Sequence, residues 1–440
     1  MLLTSYPVSK IEGSVRAPGD KSCSHRAFIL AGLAGGTSRI TGLLEGDDVR
    51  RTGEVMAALG ASIKRQGRGE WSVAGVGRAG LTSPTGELDF GNSGTGSRLM
   101  MGVMAGFDLE ARLVGDVSLS ARPMGRIIDP LSEMGARFDA RDGGRLPLTL
   151  KGRGDLSAID YSPPHASAQV KSAILLAGLN GSGTSIVRET RMTRDHTERM
   201  LRGFGADVRV YQEAGQRVVS IAGGQGLYGQ EVQVPGDPSS AAFLAAAGLI
   251  SPAGDVMVEG VMSNETRDGF FRIAEHMGGV IGAETVGDAA GERLINLAVA
   301  RSQLKGVVVP EAIVPAMIDE FPILAVVAAF AEGPTRVTGA KELRVKETDR
   351  IAAVVDMLRA NGVEVEDYED GFVVNGCGGP PPGGGRVETR HDHRIAMSAL
   401  IMGTAAQNPV SIDDASMIQT SYPDFVDHMR LLGADIREGV

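Results

Sequence analysis

Only two cysteines, Cys23 and Cys377, occur in 440 residues, and neither sits in CxxC or Cys/His zinc spacing. A disulfide framework and a structural zinc site are therefore excluded as organising devices, and a reducing cytoplasm is the expected setting. No basic segment followed by a long apolar run stands within Met1 to Lys10, and the most apolar stretch, Phe321 to Phe330, is too short to cross a bilayer. Neither an export signal nor a membrane span is expected. An excess of positive charge is missing too: 44 Lys and Arg face 54 Asp and Glu, a formal charge of −10. Bulk electrostatics thus argue against nucleic acid or an anionic membrane as partner, and an anionic ligand must be met by locally placed cations. Low complexity is confined to Gly378 to Gly385, which reads as a surface loop.

What the chain does have is length for two domains or one large one, 42% hydrophobic residues for a core, and internal repetition. Pro18-Gly19-Asp20-Lys21-Ser22 ends an extended segment, Gly13 to Ala17, and opens a helix near Ser22; Pro235-Gly236-Asp237-Pro238-Ser239 repeats that pattern 217 positions later. Asp237 suits an N-cap and Pro238 a first helical position. A finer repeat is a glycine between a helix and a short strand, at Gly60, Gly135, Gly205, Gly278, Gly362 and Gly433, spaced 75, 70, 73, 84 and 71 apart. Each is expected to take the left-handed conformation that ends a helix. Upstream of each lies a stretch rich in Ala, Gly, Met and Leu: Ala27 to Gly35, Arg98 to Gly106, Val170 to Gly178, Ala241 to Gly248, Pro322 to Ala331 and Ile395 to Thr404. Having almost no polar face, these predict helices buried on nearly all sides.

The pattern predicts an α/β protein of six similar units in two three-unit lobes, 20–235 and 236–440 with 1–19, with hinge crossings near 19–20 and 235–237 and a cleft between the lobes. The sixth unit lacks a last strand after Ile436, and the strand-like segment Val8 to Val15 is expected to supply it.

Polar chemistry collects at the starts of the buried helices: Lys21, Ser22 and Arg26 at the first, Gly91-Asn92-Ser93-Gly94 with Arg98 at the second, Ser167-Ala168-Gln169 at the third, Asp319-Glu320 at the fifth and His391-Asp392-His393-Arg394 at the sixth. Capping explains Asn92, Ser167 and Asp237 taken singly. It does not explain Lys21, Arg26, Arg98 and Arg394, cations near positive helix ends, which make sense if they meet a bound anion. His391-Asp392-His393 lacks the further ligands a metal site needs. Cys23 reads as a small packing residue rather than a nucleophile.

Taken together, Pro18 to Ser22 with Arg26, Gly91 to Thr95, Arg122-Pro123-Met124, Ser167 to Ser172, Ile318-Asp319-Glu320, Leu343 to Arg350 and Asp392 to Met397 resemble the 5-enolpyruvylshikimate-3-phosphate synthase family, over about residues 8 to 436. The resemblance implies two similar lobes, each of three βαβαββ units with buried helices. It also implies transfer of the enolpyruvyl group of phosphoenolpyruvate to the 5-hydroxyl of shikimate-3-phosphate, with release of phosphate and without metal or organic cofactor. By motif it assigns Lys21, Ser22, Arg26, Ser167, Ala168, Gln169, Arg194, Asp319 and Lys346 to shikimate-3-phosphate. It assigns Lys21, Gly94, Arg122, Gln169, Arg350 and Arg394 to phosphoenolpyruvate. Asp319 becomes the base for the 5-hydroxyl, and Glu347 with Lys21 serves proton transfer at the methylene carbon. A monomer that closes on shikimate-3-phosphate is implied as well.

Two features depart from the common pattern. Gln419 stands where many members carry a lysine, as in a divergent bacterial subgroup known for tolerance to glyphosate, yet Gly94 remains where tolerant members of that subgroup carry Ala. The sister family that uses UDP-N-acetylglucosamine carries a cysteine where this chain has Val117. A non-catalytic sixfold clamp would show basic helices, whereas the repeated helices here are apolar.

Overall fold

Six helices with no polar face must find apolar surroundings on every side, and in the computed structural model, which describes residues 2–438, they do. Every residue of Pro238–Ile250 and of Phe321–Phe330 is buried. Lys21–Leu33, Gly94–Ala105, Ala168–Gly178 and His393–Gly403 are buried beyond their first turns. Small residues set how closely these helices approach. A Cβ at Gly102 would stand 2.4 Å from the Ala173 carbonyl oxygen, so the second and third helices touch backbone to backbone.

The chain forms two compact units. One comprises the residues up to Pro18, Pro235–Asp288 and those from Glu292 on; the other comprises Gly19–Val234 with Ala289–Gly291. In the second, each buried helix is followed by a central strand, an outer helix and an antiparallel pair of strands. Thus Thr37–Thr41 pairs with Glu70–Ala74 and that strand with Ser62–Gly67; Glu110–Val114 pairs with Arg145–Lys151 and that strand with Arg137–Arg141; Thr184–Glu189 pairs with Gln216–Ala222 and that strand with Val208–Glu213. A short parallel strand edges each sheet, and the first sheet receives Glu231–Gln233 from the far end of that unit's chain, with Glu231 opposite Arg39. The mixed α/β order matches the expected fold class. The other unit repeats the plan, with Gly13–Arg16 as parallel edge to Asp255–Ser263. The two chain crossings lie side by side, since the Asp237 N–H donates to the Pro18 carbonyl at 2.8 Å.

All six signature glycines take positive φ, from 76° at Gly362 to 115° at Gly60. At these points an outer helix must stop and reverse into a strand, a turn that glycine makes without a Cβ penalty.

One strand expectation is corrected. The sixth sheet is completed by Leu3–Tyr6, which lies between Val410–Ile412 and Asp435–Glu438, with Leu3 opposite both Ile412 and Glu438. Val8 to Val15 does not fill that place; its last part belongs to Gly13–Arg16 in the fourth sheet. Pro7, which has no N–H to give to a ladder, ends the first strand. Among the described residues no helix is long and apolar enough to cross a membrane.

Candidate active site

In the Gly19–Val234 unit three helix starts converge through side-chain hydrogen bonds. Asp20 caps the first helix by accepting from the Cys23 N–H at 2.7 Å, which leaves Lys21 as the first helical residue. Lys21 is ion-paired with Asp48 of the outer helix Asp47–Ala58. Arg26 is buried and turned inward: its Nε donates to Thr197 Oγ1 at 2.7 Å, Nη2 to Ser172 Oγ at 2.9 Å and Nη1 to the Ser22 carbonyl at 2.9 Å. Burial lowers its pKa below the ordinary arginine value, and the neighbouring charge of Arg194 adds to the effect. His25, one turn from Lys21, is held well below its ordinary pKa by burial and then by Lys21 and Arg26, so it stands neutral beside Thr52.

The second and third starts share one amide. Gln169 Oε1 accepts from Arg98 Nη1 at 3.1 Å and from Arg126 Nη2 at 3.3 Å, while its Nε2 donates to Thr95 Oγ1 at 3.2 Å. Ser167 caps Ala168–Gly178, as its residue type suggests. Asn92 does not cap: Ser93 accepts the Gly96 N–H, and Asn92 Oδ1 instead accepts from Arg122 Nη2 at 2.9 Å. Gly94 opens its helix directly beneath these guanidinium groups.

The other unit gathers the remaining expected residues around Arg350. Arg350 is 1% exposed and meets three carboxylates: Asp392 through Nε at 2.8 Å, Glu347 through Nη2 at 2.6 Å and Asp319 through Nη1 at 3.2 Å. Burial alone would lower its pKa; Asp392, Glu347 and Asp319 more than offset this and raise it. Lys346 Nζ lies 3.4 Å from Asp319 Oδ1. Arg394 donates to the Asp319 carbonyl at 3.0 Å and pairs with the buried Glu320 at 3.4 Å. Glu320, not Asp319, holds the N-cap position of Phe321–Phe330, so the Asp319 carboxylate is not spent on capping.

The helix-start cations thus meet acceptors of the protein itself: Asp48, Thr197, Gln169 and Glu320. Among these partners Asp48 carried little sequence signal, since an acid in a first turn is ordinary helix chemistry. Ser172 and Thr197 read as helix residues until the fold sets both against Arg26. Asp392 lies within a quoted motif, but only the structure shows it clamping Arg350 while also accepting the Arg394 N–H at 2.9 Å. Val117 is fully in solvent at the start of a short helix, Val117–Ala121. Gln419 is exposed in the turn Ser416–Thr420.

A two-unit α/β fold of this kind is shared with the enolpyruvyl transferase NikO from Streptomyces tendae, with a TM-score of 0.74 at 19% identity over 99% of this chain and 98% of that one. The EPSP synthase of Acinetobacter baumannii is more similar, with a TM-score of 0.88 and 41% identity over 99% of both chains. The 3-phosphoshikimate 1-carboxyvinyltransferase of Hyphomonas neptunium is 64% identical over 99% of this chain and its own full length. Residues 5–429 match the EPSP synthase (3-phosphoshikimate 1-carboxyvinyltransferase) family, and the chain belongs to that family.

Proposed function

We propose that this chain transfers the carboxyvinyl group of phosphoenolpyruvate to the 5-hydroxyl of 3-phosphoshikimate and releases phosphate, a step toward aromatic amino acids. The observation that carries the reading is a carboxylate, Asp319, that caps no helix and stands between Lys346 and Arg350. Such a group is poised as a base beside cations that receive anionic substrates. Asp319 takes the 5-hydroxyl proton as that oxygen bonds to C2 of phosphoenolpyruvate, while Lys21 or Glu347 delivers a proton to C3. Phosphate then leaves C2 as the same groups remove a proton from C3, which restores the double bond. Purified chain given both substrates should release phosphate in step with 3-phosphoshikimate consumed; consumption without phosphate would contradict the reading.

For 3-phosphoshikimate we assign Lys21, Ser22, Arg26, Ser167, Ala168, Gln169, Arg194, Asp319 and Lys346. For phosphoenolpyruvate we assign Lys21, Gly94, Arg122, Gln169, Arg350 and Arg394, whose guanidinium forks suit carboxylate and phosphate. Arg350 reaches this role by exchanging Glu347 for the substrate, which frees that carboxylate for proton transfer at the moment of binding. The chain crossings after Pro18 and Val234 serve as hinges in this reading. A monomer in a reducing cytoplasm is the state we assign, on the family resemblance and on the free thiols of Cys23 and Cys377.

Glyphosate is the inhibitor this site should accept, and Gly94 is the position that tests it. A Cβ there would stand 3.0 Å from Arg122 Nη1 and 3.1 Å from Arg98 Nη1, so a methyl group pushes the phosphoenolpyruvate-binding guanidinium aside. Gly94→Ala should raise the inhibition constant for glyphosate by about tenfold or more, and by a larger factor than the KM for phosphoenolpyruvate. Equal shifts in steady-state inhibition would reject the steric argument.

A further inference from the structure

Beneath the Gly19–Val234 part of the site lies a cluster of four charges, three of them buried, that the proposed chemistry does not use. Lys171, on the third buried helix, reaches Glu189 at 3.0 Å and Glu198 at 2.8 Å. Arg217 reaches Glu189 at 2.5 Å and Glu198 at 3.3 Å from the other side. Lys171 and Glu198 are 1% exposed at the side chain and Glu189 4%. Two cations and two anions balance, yet burying such a set is seldom the most stable choice, since apolar residues of similar volume fill a core as well or better. The cluster therefore calls for a role other than stability.

Its geometry supplies one. Glu189 ends the strand Thr184–Glu189, and its Oε1 accepts from both the N–H of Thr193, at 3.2 Å, and the Thr193 hydroxyl. Lys171 Nζ also lies 3.5 Å from the Thr193 carbonyl oxygen. The segment between Glu189 and Thr193 is thereby tied at both ends to one carboxylate, and Arg194 is the next residue. Beyond it, Asp195 pairs with Arg199 at 2.8 Å, and Thr197 and Glu198 occupy the first turn of His196–Gly203. Thr197 is the residue that receives Arg26 Nε and bonds Ser172 Oγ at 2.7 Å. The cluster thus grips the same short segment on each side of Arg194, and its Glu198 neighbours the Thr197 contact to Arg26.

We infer that Glu189, held by Lys171 and Arg217, is a positioning residue for the phosphate of 3-phosphoshikimate, acting through Arg194. The inference rests on the assignment of Arg194 to that substrate under the proposed function. The loop between Glu189 and Arg194 has exposed residues, Thr190, Arg191 and Met192, and no regular secondary structure to fix it. A guanidinium on such a loop loses affinity to ordering unless something buried holds it in place beforehand. Charge-assisted bonds to a buried carboxylate are strong enough to do this.

A double-mutant cycle in steady-state kinetics tests the inference. Arg194→Ala and Glu189→Gln should each raise the KM for 3-phosphoshikimate about tenfold or more, the loss expected for one charged contact. The kcat and the KM for phosphoenolpyruvate should stay within about threefold, a split that general loosening of the fold would not give. Combined, the two substitutions should raise that KM little beyond Arg194→Ala alone. If Glu189→Gln does not fold, Lys171→Met combined with Glu189→Gln keeps the buried charge balanced and takes its place in the cycle.

No effect of Arg194→Ala on that KM would overturn the Arg194 assignment and the inference with it. An effect of Arg194→Ala without one of Glu189→Gln, or fully multiplicative effects, would overturn the inference alone. So would equal changes in both KM values.

Discussion

Replacing Asp319 by alanine lowers turnover by roughly three orders of magnitude or more while the protein still folds, the loss expected for a general base that also positions its substrate. The fold survives because Asp319 supports little of it. The side chain is partly exposed, Glu320 takes the N-cap position behind it, and Arg350 keeps both Asp392 and Glu347 when Asp319 is gone. Asp319→Asn keeps the shape and removes the basicity, so it separates the two contributions. If proton removal dominates, asparagine is nearly as inactive as alanine; if placement dominates, it recovers most of the rate. Near-normal turnover of Asp319→Ala, with thermal unfolding as a control, would remove Asp319 from the chemistry.

Arg350→Met should destabilise its unit by about 3–5 kcal/mol, because it strands a buried carboxylate. Asp392 is fully buried, with both oxygens facing Arg350 and Oδ1 also accepting the Arg394 N–H. In the variant the ionised Asp392 carboxylate is left in the core without its counter-charge, and that is the source of the loss. Arg122→Met is the contrast. Arg122 donates to neutral oxygens, Asn92 Oδ1 and Ser118 Oγ, and its loss should cost at most about 1 kcal/mol. Urea unfolding of the two variants checks both statements. Equal losses would mean that Arg350 is no anchor of Asp392.

The repeat pattern made the fold legible because its signals are local. A helix with no polar face has to be buried, and a glycine after an apolar residue at a helix end marks a stop whatever surrounds it. Leu3–Tyr6 was not legible, since its burial depends on two strands more than 400 residues further along, opposite Leu3 at Ile412 and Glu438. The site residues were found as motifs, but their partners were not. Lys21 announces itself at a helix start, whereas Asp48 looks like any first-turn acid. Arg350 stands in a run of charges that reads equally well as solvated surface, and only its burial against Asp392 makes it an anchor. Lys171, Glu189 and Glu198 gave no hint of one another, because a buried ion cluster is assembled by tertiary contacts between elements.

Phosphate release measured side by side with two acceptors tests the central claim most directly: phosphoenolpyruvate with 3-phosphoshikimate in one arm and with UDP-N-acetylglucosamine in the other, without added metal. Release with 3-phosphoshikimate alone is the result expected from the family and from the cations grouped around Asp319. Release only with the sugar nucleotide, or with neither acceptor from folded protein, would contradict it.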